Sequence, residues 1–215
     1  MSDTGIRRIT DFSLTLMWKR DLKRSMPFLL AGCLLLFLSI SFLRNSGTGV
    51  LGKDESIDVI VAMGQYPDTP INVPPGNWLD AMEKGMARLI APPGSFLLLH
   101  IWESFSFSER WLRLLPFLFF IAGIIILMRI GLLLKLPPLL SVAMGFLPLA
   151  SAESVYHCIE LRAYEMELGM TYIALYFALR FLQSMGAGDN IRRRTWLFFT
   201  LITIFGLSTR WSFMI

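Results

Sequence analysis

Residues 25–43 carry no charged side chain and are rich in Leu, Phe, Ile and Ala, and no other feature constrains the fold as strongly. A helix needs roughly 20 such residues to cross the hydrocarbon core of a bilayer, where each backbone polar group must be bonded within its own segment. The run is too long for the apolar part of a cleavable signal peptide, and no A-x-A-like site precedes the polar stretch after it. Four more apolar stretches follow: 114–134, interrupted only by Arg129 near one end; 136–152; 168–185, with Arg180 near its end; and 195–212. An Arg near the end of a span can snorkel its head group to the interface. Only 17% of the 215 residues are charged, against roughly 25% in an average globular domain, which is too little to cover a water-soluble body. The expected fold is an all-α, polytopic transmembrane bundle of about five spans.

Charge predicts the orientation. Residues 1–25 hold Arg7, Arg8, Lys19, Arg20, Lys23 and Arg24; Lys135 follows the second stretch, and Arg192, Arg193 and Arg194 lie between the fourth and fifth. A cytoplasmic N-terminus and five alternating spans put all of these inside, as the positive-inside rule requires. Segment 45–109 then lies outside, with Lys53, Lys84 and Arg88 against eight carboxylates, and 153–167 lies outside with four Glu and one Arg. The net charge of +4 is thus spent on topology and not gathered into a nucleic-acid patch. Cys33 and Cys158 are too few for a disulfide framework and lack zinc-ligand spacing.

The outer segment 45–109 is too long and too patterned for a plain connector. Ile57, Ile60 and Val61 lie at helical spacing, with Asp54 placed to cap their helix. After the breakers Pro67, Pro70, Pro74, Pro75 and Gly76, Asn77 is a plausible N-cap for a second helix. Leu79, Met82, Met86 and Leu89 form one face of it, and Asp80, Lys84 and Arg88 the other. Pro92-Pro93-Gly94 breaks the chain again, and residues 95–104 predict a short apolar helix. Helices of this kind lie in the membrane interface.

Three places carry groups suited to chemistry. Asp54-Glu55, at a helix start by the membrane's edge, suits a general base or a metal ligand, and equally an ordinary cap that complements the helix dipole. Glu160-Leu161-Arg162-Ala163-Tyr164 sets Glu160 and Tyr164 one turn apart. Its Arg162 can grip a phosphate bidentately, pair with Glu160 or snorkel to lipid phosphates. His100, in Leu97-Leu98-Leu99-His100-Ile101-Trp102, fits a histidine satisfied by a backbone carbonyl better than a catalytic one. No HExxH, GxSxG or Walker-type loop is present, so soluble hydrolase and nucleotide-binding readings have no support.

The order of these motifs resembles the GT-C glycosyltransferases. One span is followed by Asp54-Glu55, a loop with Pro92-Pro93, Phe96-Leu97-Leu98-Leu99-His100-Ile101-Trp102, Glu109-Arg110-Trp111-Leu112-Arg113, a second span, and the Glu-x-Arg-x-Tyr core at 160–164. The resemblance is strongest to the family-39, protein-mannosyltransferase-like group that includes the aminoarabinose transferases, and it covers residues 25–210. It implies a plasma (inner) membrane enzyme that moves a sugar from a polyprenyl-phosphate donor to a hydroxyl of a lipid, glycan or protein acceptor on the extracytoplasmic face. Asp54 matches the family's catalytic base and Glu55 its neighbour. Arg162, flanked by Glu160 and Tyr164, matches the residue near the donor phosphate, and Pro92, Pro93 and His100 match a substrate loop. The resemblance calls for no cofactor and leaves a divalent metal open. Ala91 stands where the family has Asn or His. The family continues through further spans, so the expectation is a truncated form that is inactive alone. The competing expectation, from composition only, is a non-enzymatic membrane scaffold or a transporter fragment.

Overall fold

The computed structural model of the protein describes residues 4–46, 51–66, 74–89, 93–161, 163–185 and 189–209. Helices account for most of these residues, with no strand among them. In chain order the helices are α1 (Thr4–Asn45), α2 (Lys53–Ala62), α3 (Trp78–Leu89), α4 (Pro93–Glu103), α5 (Glu109–Leu133), α6 (Pro138–Gly145), α7 (Ala152–His157), α8 (Ala163–Ser184) and α9 (Asp189–Thr209). A 3-10 turn, Leu147–Ala150, lies between α6 and α7. Among the described residues, two stretches are long and apolar enough to cross a membrane: Ser25–Asn45 of α1, and α5. Only 11% of the first is buried, so it is not the core helix of a soluble body, and Leu29, Leu36, Phe37 and Leu43 all face outward.

The ends of α5 show why the chain stops and turns where it does. Ser108 caps the start by accepting from the Trp111 backbone N–H at 3.4 Å, and Glu109 complements the dipole in the first turn. At the far end the Leu136 N–H donates to the Gly131 carbonyl and the Lys135 N–H to the Leu132 carbonyl, both at 3.0 Å. This is the Schellman pattern. Its left-handed position is taken by Lys135, at φ +61°, where glycine is usual. Pro138 then starts α6 at a position where its missing N–H costs nothing.

The stretch expected as a third span, 136–152, is broken into α6, the 3-10 turn and the start of α7. Pro148 explains the break: it has no N–H to donate to the carbonyl four residues earlier, so the α-helix does not continue through it. The expected fourth stretch falls within α8 except for Met185, a turn residue just past its end, and the fifth falls within α9 except for residues 210–212, which lie outside the described residues.

Small residues set the packing. A Cβ on Gly131 would come within 2.8 Å of the Ser141 Cα, and one on Gly145 within 2.9 Å of the Ile124 carbonyl, so α6 runs antiparallel against α5. A Cβ on Gly169 would meet the Phe119 carbonyl at 2.8 Å, and the Gln183 Nε2 donates to the Leu133 carbonyl at 3.1 Å. α8 is therefore parallel to α5, as two segments joined through a return path must be. Phe177 stacks on Phe198 at 5.5 Å to hold α9 on α8, and Phe42 stacks on Phe117 at 4.1 Å to hold the end of α1 beside the start of α5.

Helices α2 to α4 form a platform over one end of this bundle. Val59, Val61, Phe96, Leu99, Leu112 and Met166 pack into one core beneath it. Gly85 of α3 lies against the Phe96 ring, while Leu79 and Met86 of the expected apolar face of α3 point outward. Between α4 and α5 the Trp102 and Trp111 indoles stack at 4.4 Å and 8°. Each Nε1–H donates to the other's carbonyl, at 2.7 and 2.8 Å.

Candidate functional site

The first turn of α2 builds the most connected polar node among the described residues. Gly52 is the N-cap, one residue before Lys53, so Asp54 lies in the first turn and is not the cap. Glu55 falls at the third helical position and reaches back, its Oε2 accepting from the Gly52 N–H at 2.7 Å. That is one half of a capping box. The same oxygen accepts from the Arg113 guanidinium at 3.1 Å, and Oε1 accepts from the Leu161 N–H at 2.7 Å. Glu55 is 5% exposed and its carboxylate is committed to three donors. Arg113 has a second carboxylate, Glu109, at 3.1 Å one turn earlier on α5. Asp54 is exposed beside this node.

One carboxylate thus joins the platform, the start of α5 and the turn before α8. These stretches lie up to 106 residues apart in the chain. Arg113 received no role from the sequence, although its i,i+4 spacing from Glu109 was visible there. Arg162 lies outside the described residues, as does Pro92. The immediate neighbour of Arg162, Leu161, is bonded to the immediate neighbour of Asp54, Glu55.

Glu160 and Tyr164 do not share a helical face, because α8 begins only at Ala163. They meet through His157 instead. The His157 Nδ1 lies 2.5 Å from the Glu160 Oε2, and its ring lies 4.4 Å from the Tyr164 ring. Next to this group a cavity of about 300 Å³ is lined by Ser151, Glu153, Ser154, His157, Tyr164, Glu165, Glu167, Leu168 and Thr171. Glu165 is 2% exposed, and burial pushes its carboxyl up to about 7. Cys158 is also buried; burial first, and the nearby Glu165 second, push its thiol up to about 12. An inert structural thiol is the result.

His100 and Pro93 hold the platform together. The His100 Nδ1 lies 2.8 Å from the Ala62 carbonyl, which ties α4 to the end of α2 in the backbone-satisfied role the sequence favoured. Pro93 opens α4. Glu103, one turn after His100 and 3.5 Å from it, is 3% exposed, and burial raises its carboxyl to about 8. No three His, Cys, Asp or Glu side chains gather as a metal site among the described residues. Asn77 caps α3 as expected, accepting from the Leu79 and Asp80 N–H groups at 2.8 and 3.1 Å, and Asp80 returns a bond to the Asn77 N–H at 2.8 Å. Comparison of the chain with protein-family models, with curated proteins and with solved structures finds no match.

Proposed function

We propose that the chain is a membrane glycosyltransferase of the GT-C kind, moving a sugar from a polyprenyl-phosphate donor to an acceptor hydroxyl on the extracytoplasmic face. The observation that carries this reading is the Glu55 node. It unites Asp54-Glu55, the Glu109–Arg113 stretch and the turn ahead of Tyr164, three separate stretches on which the family resemblance rests. The apolar, outward-facing surface of α1 supports a bilayer as solvent, since soluble monomers rarely expose patches of that size. The cationic Lys135, Arg193 and Arg194 fall at the end away from the platform, which supports a cytoplasmic N-terminus and a platform on the outer leaflet of the plasma (inner) membrane.

In this reading Asp54 takes the proton from the acceptor hydroxyl as its oxygen attacks the anomeric carbon. The bond to the polyprenyl phosphate breaks on the opposite side, so the configuration inverts. The leaving phosphate keeps the bonding electrons, and Arg162 stabilises the charge that develops on it. Glu55 is a positioning residue: its three bonds hold the first turn of α2, and Asp54 with it, against the turn that leads into Arg162.

Donor binding is tested on membranes carrying the chain, with a photoactivatable polyprenyl-phosphate sugar. Labelling should be competed by polyprenyl phosphate and not by polyprenol; equal competition by both would sink the phosphate assignment. Where transfer is measured, Asp54→Asn should lower its rate by about two to four orders of magnitude, the usual contribution of a general base. Asp54 is not the cap of α2, and Asn in its place keeps the size and gives up only a helix-dipole contribution of about 0.3–1 kcal/mol, so a purely structural Asp54 predicts an unchanged rate.

A further inference from the structure

Two cations close to the start of α9 share a cavity. Arg193 and Arg194 line a space of about 510 Å³ together with Trp196 and Leu197. Residues three and four apart are neighbours on a helix surface, so Leu197 lies one turn beyond both arginines. The same face continues through Leu201 and Ile204. Trp196, Leu197, Leu201 and Ile204 are each more than half exposed, and the stripe from Leu197 to Ile204 is about 10 Å long. Helical side chains tilt toward the N-terminus, which carries the two guanidinium groups away from the stripe. At the other end of α9, Ser208 lies against Gly94 of the platform helix α4. Arg194 is about 21 Å along the axis from that contact, so the cavity lies at the end of the bundle opposite the platform. It is therefore separate from the donor site proposed beside Glu55.

We infer that this face of α9 binds an anionic phospholipid of the cytoplasmic leaflet. Arg193 and Arg194 hold its phosphate, and its acyl chains run along Leu197, Leu201 and Ile204. Charge selects the occupant. Two guanidinium groups at one cavity repel each other, and an anion between them replaces that repulsion with two attractions. The planar fork of each arginine matches a pair of phosphate oxygens. A free phosphate leaves the apolar stripe uncovered, and a zwitterionic lipid brings its own ammonium group beside two cations. A lipid with a net negative head group satisfies both parts of the face. Trp196 lies between them, at the depth where an indole is favoured for its apolar body and single N–H donor. A topology signal asks only for positive charge near the end of a span. It does not require both cations to share a cavity with the head of an exposed apolar stripe. The inference rests on the membrane setting proposed above and on none of the transfer chemistry.

The full chain in a neutral detergent is titrated with phosphatidylglycerol and with phosphatidylcholine of the same acyl chains, and the retained lipid is counted by native mass spectrometry. Phosphatidylglycerol should be retained at the lower concentration, and free glycerol phosphate should not displace it. Changing Arg193→Gln and Arg194→Gln together should weaken phosphatidylglycerol binding by roughly 25-fold, about fivefold for each cation, and leave phosphatidylcholine unaltered. Changing both to Lys keeps the charges and loses the forks, so a smaller loss is expected. Arg129→Gln removes an exposed cation of α5 and should change nothing. All three positions are exposed and Gln matches Arg in helix propensity, so folding is not at stake. Equal retention of the two lipids by the unaltered chain would overturn the proposal, as would displacement by glycerol phosphate, no loss in the lysine pair, or the same loss from Arg129→Gln as from the glutamine pair. Failure of the membrane setting reads differently: the unaltered chain would then wash off cell membranes in alkali, which would overturn the setting and this proposal with it.

Discussion

Replacing Glu55 by Gln keeps the side chain's shape and removes its ability to serve three donors at once. The cheapest orientation keeps the amide oxygen between the Gly52 N–H and Arg113, and turns the amide nitrogen toward the Leu161 N–H. Two donors then face each other, and leaving a buried N–H unpaired costs about 1–3 kcal/mol. The Arg113 guanidinium also loses a charge partner in a place where its side chain is 12% exposed. Removing one member of a buried pair costs about 3–5 kcal/mol when nothing replaces it. Here Glu109 stays 3.1 Å from Arg113, so only part of that cost applies. The sum is a loss of roughly 2–4 kcal/mol for Glu55→Gln. Guanidinium unfolding in detergent micelles, followed by tryptophan fluorescence, measures it. The near-ultraviolet dichroism of the stacked Trp102–Trp111 pair reports whether the neighbouring corner loosens first. A double-mutant cycle with Arg113→Gln should give a coupling above about 0.5 kcal/mol. A Glu55→Gln chain within about 0.5 kcal/mol of the parent would refute the reasoning, since surface changes alone fall in that range.

A reporter joined after Asn77 should read extracytoplasmic and one after Asp189 cytoplasmic, judged by accessibility to a membrane-impermeant label; the reverse pattern would invert the proposed orientation. The buried carboxyls of Glu103 and Glu165 bind their protons more tightly folded than unfolded. Their contribution to stability is therefore full below an ordinary carboxylate value near 4.5 and is lost as the pH rises through about 7 for Glu165 and about 8 for Glu103. Thermal unfolding at stepped pH should show that decline, and Glu103→Gln should flatten its upper part. Lys135→Gly should raise stability by about 1 kcal/mol, since the left-handed backbone at φ +61° is free of cost only for glycine; an unchanged unfolding midpoint would mean that Lys135 gains elsewhere what its backbone loses.

Local properties were legible in the sequence. The apolar runs at 25–43 and 114–134 announce helices because length and hydropathy need no partner to be read, and Asn77 announces a cap because its acceptor serves N–H groups only two and three residues on. The broken stretch 136–152 was harder, because its composition is the same whether one helix or three turns carry it. Pro148 was the available signal, and the apolar residues around it masked its meaning. The choice between Asp54 and Glu55 as the buried carboxylate depends on which way α2 faces, and that is set by Arg113 and Leu161, 58 and 106 residues further along the chain. No spacing rule reaches so far. The meeting of His157, Glu160 and Tyr164 depends likewise on where α8 begins, a boundary decided by tertiary contact.

The reciprocal tryptophan clasp makes the corner between α4 and α5 stiff, and stiffness there has a mechanical consequence. A helix of 25 residues is about 37 Å long, so a change in lean of about 5° moves one end by about 3 Å relative to the other. With Trp102 and Trp111 locked face to face, that displacement is not absorbed in the intervening turn but passes into α4, and from α4 through His100 into α2. In the membrane setting proposed above, a mismatch between α5 and the bilayer thickness is one way to change that lean. The platform would then act as a pointer on a lever, carrying Asp54 with it.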